Sequence, residues 1–582
     1  MPQDNIHKYM LIVVLTTIIS GCATGPSSTR QDEAEPAISN HTLIKTDAND
    51  ARYDDISELM YEVLTGELAG KLGDLEGSKQ AYSRASELSD DPKVIERAMR
   101  IAIFAKDWPL ALKIAHRWSD SLDGNIEAQQ VLGILYLRQG DVDSSAKHFS
   151  AVMDAAADSP SQGYSIVAAT LARVDEVETS IELMDRLVAK NFTNPYGHLS
   201  YANLAMKAKK YQLAVDQSEL ALGFKPDLSE ARVLRARALS LIGDHEAAFL
   251  EMQTLVDADP QNFDLRLGYA RMLLQAEQFT DAGKQFEELL EQKPKDPDIT
   301  YMLGLTYVQA EDYSKSKQYF QALVEDNRRL DESNYYLARI SEELGETEKA
   351  VAYYQDVAYG GLYLDAAVRL AELYVKENGL TAARQHLNDV RGRVDQPEDV
   401  IRLFLAEGHI LHKQDQYDQA YDLYSQGLLE FPRHSDLLYA RALTAENIDR
   451  VDLLESDLLI ILQEDPDHAN ALNALGYTLA DRGLRIDEAQ KYVERAYELK
   501  PNDPAVMDSM GWIQFRKGNY AEAENYLRKA LNLMDDAEII GHLSELLWAQ
   551  GNYEEARNLL REAMDRHPED SYIEKLIKQF SE

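Results

Sequence analysis

Met510-Gly511-Trp512-Ile513-Gln514-Phe515-Arg516-Lys517-Gly518-Asn519-Tyr520-Ala521-Glu522-Ala523 decides the fold, together with Leu527 and Ala530 that follow it. The same order returns as Gly551-Asn552-Tyr553, then Ala556, Leu560, Ala563 and Pro568. Each position has a steric reason. Antiparallel helices pack about 8–10 Å apart, so the small residues Gly511, Ala523 and Ala530 mark the close approach of two backbones, and Leu527 fills the space beside them. Gly518 ends the first helix, because glycine enters the left-handed cap conformation without penalty. Tyr520 covers the turn, and the closing proline stops the second helix from fusing with the next.

Outward from this stretch, Pro226, Pro260 and Pro294 recur at 34-residue intervals, as do Pro432 and Pro466, each just before an apolar helical run. A 34-residue period of helix-turn-helix units is the tetratricopeptide signature. Tracing the small and aromatic positions gives units beginning near 59, 92, 126, 161, 195, 229, 263, 297, 331, 364, 401, 435, 469, 504 and 537. Those near 92, 161 and 364 match poorly, so the count is about 12–15. The expected fold is all-α, a tetratricopeptide-repeat superhelical solenoid over 53–570. Gly360-Gly361 and Arg391 to Pro397 lengthen two turns. Residues 571–582 carry Tyr572, Ile573, Leu576, Ile577 and Phe580 at helical spacing and read as a capping helix that seals the open end.

The amino-terminal part is organised differently. Lys8 and the apolar run Leu11 to Ile19 read as a signal peptide over 1–21, and the run is too short to span a membrane. Residues 22–52 are polar, hold Pro26, Ser27, Ser28 and Pro36, and lack a helical period, which reads as a flexible tether about 30 Å from end to end. Cys22 is the one cysteine, so no internal disulfide supports the fold. With 100 acidic and 60 basic residues the net charge is −40. Nothing there neutralises phosphates, so no nucleic-acid partner is expected, and the acidity reads as a solvated surface.

Signs of catalysis are scarce. His409 and His412 have an i, i+3 spacing but no third metal ligand at matching spacing, and Gly73 to Lys79 has the wrong glycine spacing for a phosphate loop. No nucleophile elbow is present, so the chain reads as a non-enzyme without metal or cofactor. Binding is the better prospect, because the first helix of each unit lines the inner wall of a solenoid. By that reckoning Tyr301, Arg339, Tyr439, Asn473, Tyr477, Asp508, Trp512 and Phe515 face a partner, the alternative being that such aromatics fill gaps between helices. A second candidate surface is the first helix, where Tyr53, Ile56, Leu59, Met60, Val63 and Leu64 form an apolar face with no preceding unit to cover it.

Ile19-Ser20-Gly21-Cys22 resembles the lipobox of bacterial lipoproteins. The resemblance implies cleavage before Cys22, a diacylglycerol on its thiol and acylation of its new amino group. Ala23, where an Asp would favour the inner membrane, implies a lipid anchor in the outer membrane on the periplasmic face. Asp91 to Ala102, Asn473 to Arg482 and Asp508 to Trp512 resemble the long tetratricopeptide outer-membrane lipoproteins of Gram-negative bacteria. That likeness implies an adaptor that binds a periplasmic carboxyl-terminal processing serine protease and brings to it peptidoglycan cross-link hydrolases for degradation. The alternative is a scaffold for another envelope assembly, such as a pilus, secretion or peptidoglycan-synthesis complex.

Overall fold

The computed structural model describes residues 50–121, 125–156, 160–568 and 570–581. The signal peptide, Cys22 and nearly all of the tether lie outside them. Among the described residues there is no strand. The described residues form thirty-one helices, fifteen antiparallel pairs from Asp50 to Arg566 and one final helix, Ser571–Gln579. The three stretches that match the repeat poorly in sequence are also helix pairs: Pro92–Phe104 with Trp108–Ser121, Pro160–Leu171 with Val177–Ala189, and Tyr363–Glu377 with Leu380–Arg391. None of the described helices is long and apolar enough to cross a membrane.

The punctuation of a pair is local chemistry. Asp503 caps helix Pro504–Arg516 by accepting the Ala505 N–H, and Pro504 occupies the first turn, where no N–H is needed. Two residues past the helix, Gly518 takes φ 83°, which lets the Asn519 N–H reach the Gln514 carbonyl at 2.9 Å. The equivalent place holds Lys106, Lys209, Glu277, Glu311, Asp415 and Asp449 in six other pairs, all left-handed without being glycine. Across the pair, Gly511 lacks a Cβ because one would sit 2.6 Å from Leu527 Cγ. Elsewhere a serine ties the pair shut. Ser78, Ser145 and Ser316 each donate at 2.8 Å to the carbonyl of the glycine twelve residues earlier, in the first helix of the pair.

The chain divides into two units, residues up to Tyr319 and from Phe320, the boundary falling inside helix Tyr313–Glu325. Each has its own core of alanines and leucines strung along the helix pairs. In the first unit Ile95, Leu132, Phe149 and Leu183 are buried, and in the second Leu403, Leu454, Leu475 and Ile513. The second unit ends on the helix Ser571–Gln579, which buries Ile573 and Leu576, while Phe580 just beyond it stacks on Trp548 at 4.1 Å between ring centres. At the other terminus Ile56, Met60, Leu64 and Leu68 are exposed, whereas Leu59 and Val63 pack against the cluster of Tyr82, Ala85 and Ile95. Those two are half-buried, one side of each taken up by that cluster. The Tyr53 side chain lies outside the described residues.

Candidate functional site

Helices Ser435–Asn447, Ala469–Asp481, Pro504–Arg516 and Ala537–Ala549 are the first helices of four consecutive pairs in the second unit. The repeat period sets equivalent residues on the same side of each, so side chains 34 apart meet. Asp508 and His542 are such a pair. His542 Nδ1 lies 2.9 Å from both Asp508 carboxylate oxygens, and its ring stacks on Trp512 at 4.1 Å. Burial works against a charge on His542, but the Asp508 carboxylate and its hydrogen bond outweigh it and raise the imidazole pKa above its ordinary value.

Around this pair runs a line of hydroxyls and carboxylates. The Tyr477 hydroxyl donates to Glu538 and stands 3.4 Å from His542 Nε2. Thr478 donates to Glu446 at 2.8 Å, and Tyr572 donates to Glu545 at 2.9 Å. Glu538 is exposed as a residue, yet its carboxyl head turns inward onto Tyr477. Enclosure raises the pKa of both Glu446 and Glu538, and burial beside Glu538 raises that of Tyr477. Asn473, one helical turn before Tyr477, keeps an enclosed Oδ1 that accepts no hydrogen bond among the described residues. The neighbouring cations are already engaged: Arg482 pairs with Asp449 at 2.5 Å, and His542 with Asp508. Glu446, Asn473 and Glu538 thus form a strip of acceptors in which Asn473 Oδ1 has no donor and each carboxylate has one hydroxyl donor, suited to an ammonium or guanidinium group.

Catalysis does not follow from the His–Asp pair. A nucleophile would have to sit on His542 Nε2, where the structure places the Tyr477 phenol. The nearby serines are committed to their own helices, Ser509 to the Ala505 carbonyl and Ser544 to that of Ile540. His412 donates instead to Thr444 at 2.7 Å, and no group of three metal-ligating side chains occurs among the described residues.

The other sequence candidates separate into two groups. Tyr301, Asp508 and Trp512 are 2%, 5% and 4% exposed, so they pack inside the helix array and do not face a partner. The period gives the direction of a side chain but not what covers it, and His542 of the next first helix covers Asp508 and Trp512. Tyr439, Asn473, Tyr477 and Phe515 are half-buried on the wall. Phe515 leans on Trp512 and Tyr520, and Tyr439 on His468. Arg339, also half-buried, donates to the Tyr335 hydroxyl at 3.3 Å, well away in sequence from the strip. Glu446, Glu538 and His542 escaped the sequence reading. The signal for His542 was its 34-residue offset from Asp508.

Tetratricopeptide-repeat family models match residues 242–304, 273–340, 332–359, 483–538 and 514–580. The chain is 33% identical over 552 residues to the TPR repeat-containing protein PA4667 of Pseudomonas aeruginosa, covering 93% of this chain and 91% of that protein. Among solved structures, yeast Tom70 superposes with a TM-score of 0.32 at 14% identity, over 89% of this chain and 92% of that one. A tetratricopeptide repeat protein from Parabacteroides merdae gives 0.36 at 16% identity, over 44% of this chain and all of that one.

Proposed function

This chain belongs to the family of TPR repeat-containing proteins, whose helix pairs serve as scaffolds for protein partners, and we propose that it is a lipid-anchored periplasmic adaptor. In this reading it binds a carboxyl-terminal processing serine protease and brings peptidoglycan cross-link hydrolases to it for degradation. The observation that carries the binding role is the acceptor strip Glu446, Asn473 and Glu538, which receives a basic side chain of a partner protein. The anchor rests on Cys22 after its apolar run, and the protease on the likeness of Asp91 to Ala102 and Asn473 to Arg482 to the outer-membrane lipoproteins. Holding two proteins on one scaffold raises their mutual concentration to about the millimolar range, which speeds encounter without any catalytic group of the scaffold's own.

The test is affinity capture from envelope extract with the wild-type protein and the Glu446→Gln/Glu538→Gln variant. Recovery of a processing protease and cross-link hydrolases by the wild type, with one of them lost from the variant, is expected. Capture of pilus, secretion or peptidoglycan-synthesis components in their place refutes the protease reading. Turnover of peptidoglycan by the purified chain alone refutes the adaptor reading altogether.

A further inference from the structure

The first unit carries a groove whose charge is the reverse of the strip in the second. Helices Pro92–Phe104, Ile126–Arg138, Pro160–Leu171 and Pro195–Lys207 are again the first helices of consecutive pairs. Among the first three lies a cavity of about 360 Å³ floored by Ile103, Trp108, Val131, Ile134 and Val174, with Arg138 and Arg173 on its lining. A trough of about 520 Å³ adjoins it, sharing Arg173, bordered by the small side chains Ser165, Ala168, Ala169 and Ser200 and reaching Lys207. An apolar socket thus opens into a trough that leaves room for a polypeptide.

The cations occupy equivalent stations. Arg138 and Lys207 end their helices, and Arg173 stands two residues past its own. The Arg138 guanidinium lies 4.9 Å from the centre of the Trp108 ring, and its Nε is 3.6 Å from Glu176, so it is held in place over the socket. Arg173 and Lys207 are exposed and make no ion pair among the described residues. Cations are favoured at helix C-termini, but that effect reaches only the last turn and explains neither Arg173 nor the apolar socket beside it. Arg173 lines both the apolar cavity and the trough, Lys207 lines the trough, and no carboxylate is among the lining residues of either.

We infer that this groove binds an extended acidic segment of a partner protein, with one apolar side chain in the socket and carboxylates on Arg138, Arg173 and Lys207. Neighbouring helices lie about 8–10 Å apart, and a segment in the extended polyproline II conformation advances about 3.1 Å per residue with three residues per turn, so the carboxylates that face the groove fall at every third position, about 9 Å apart. A nucleic acid is the poorer occupant, since it offers nothing apolar for the socket and meets the net charge of −40. The inference holds whichever protein the second unit receives.

The experiment is fluorescence anisotropy of a labelled peptide, one leucine followed by three glutamates at every third position in a Ser/Gly background, titrated with the full-length protein. Binding that weakens with added salt is expected, together with a loss of about tenfold or more for the same peptide carrying glutamines. The exposed-site variant Arg173→Glu/Lys207→Glu is expected to lose the glutamate peptide and gain its lysine counterpart while circular dichroism stays unchanged. Filling the socket with Val174→Trp is expected to weaken binding of the leucine peptide but not to invert its charge preference. Equal binding of the glutamate and glutamine peptides, or indifference to the charge reversal, overturns the inference.

Discussion

Replacing His542 by Phe tests the electrostatic centre of the second unit, because the ring that stacks on Trp512 is kept while the donor to Asp508 is removed. Asp508 is 5% exposed. Its carboxylate is then buried without its partner, which costs about 3–5 kcal/mol for a broken buried pair. The converse change, Asp508→Leu, leaves an imidazole that can stay neutral, so it costs less. The double variant Asp508→Leu/His542→Phe removes both polar ends and recovers most of the loss. A repeat array does not unfold in one step, so the assay is amide hydrogen exchange read helix by helix. Protection in Pro504–Arg516 and Ala537–Ala549 is expected to fall by about two to four orders of magnitude in His542→Phe, with Pro92–Phe104 unchanged as the internal reference. The pH dependence follows from the same pair. The folded pKa of His542 is raised, so the stabilisation it gives is complete below the unfolded value near about 6.5 and is lost as pH rises through the higher folded value. A double variant as unprotected as His542→Phe, or a larger loss in Asp508→Leu than in His542→Phe, refutes this account.

Three further outcomes follow from the geometry. Gly511→Ala gains about 1 kcal/mol of helix propensity but drives a Cβ to 2.6 Å from the fully buried Leu527, so a net destabilisation within about 1–3 kcal/mol is expected; Gly476→Ala is expected to be worse, because the atom it meets at 2.7 Å is the Ala489 backbone oxygen, and local hydrogen exchange ranks the two. Lys209→Gly relieves a left-handed lysine at φ 57° and is expected to stabilise by about 0.5–1 kcal/mol, read as a later urea transition for helices Pro195–Lys207 and Tyr211–Phe224. On the proposal of a lipid anchor, Cys22→Ser is expected to abolish acylation by intact-mass measurement and to release the protein from the membrane fraction; retention in that fraction without acyl mass counts against the anchor.

The repeat was legible in the sequence because its determinants are local. Gly518 and Gly551 announce their turns, and Ala523, Leu527 and Ala530 announce a close helix crossing that the structure shows as fully buried. At Lys209, Glu277 and Glu311 the same left-handed turn is made without glycine, since the backbone bond that closes it, such as Lys210 N–H to the Ala205 carbonyl at 2.9 Å, does not depend on the side chain. The degenerate stretches near 92, 161 and 364 fold as pairs for this reason: neighbours supply the burial that the motif residues fail to announce. The wall was less legible. A 34-residue period tells which way Tyr301, Asp508 and Trp512 point, but exposure depends on the side chain one unit onward, and for Asp508 and Trp512 that side chain is His542. What faces outward is left to the residues one turn away, Asn473 and Tyr477, and to carboxylates such as Glu446 and Glu538, which in a sequence holding 100 acids carry no mark of their own. Their significance comes from enclosure beside cations that are already paired elsewhere, Arg482 with Asp449 and His542 with Asp508. That is a property of several helices at once, and so of the stacked repeat rather than of any one copy.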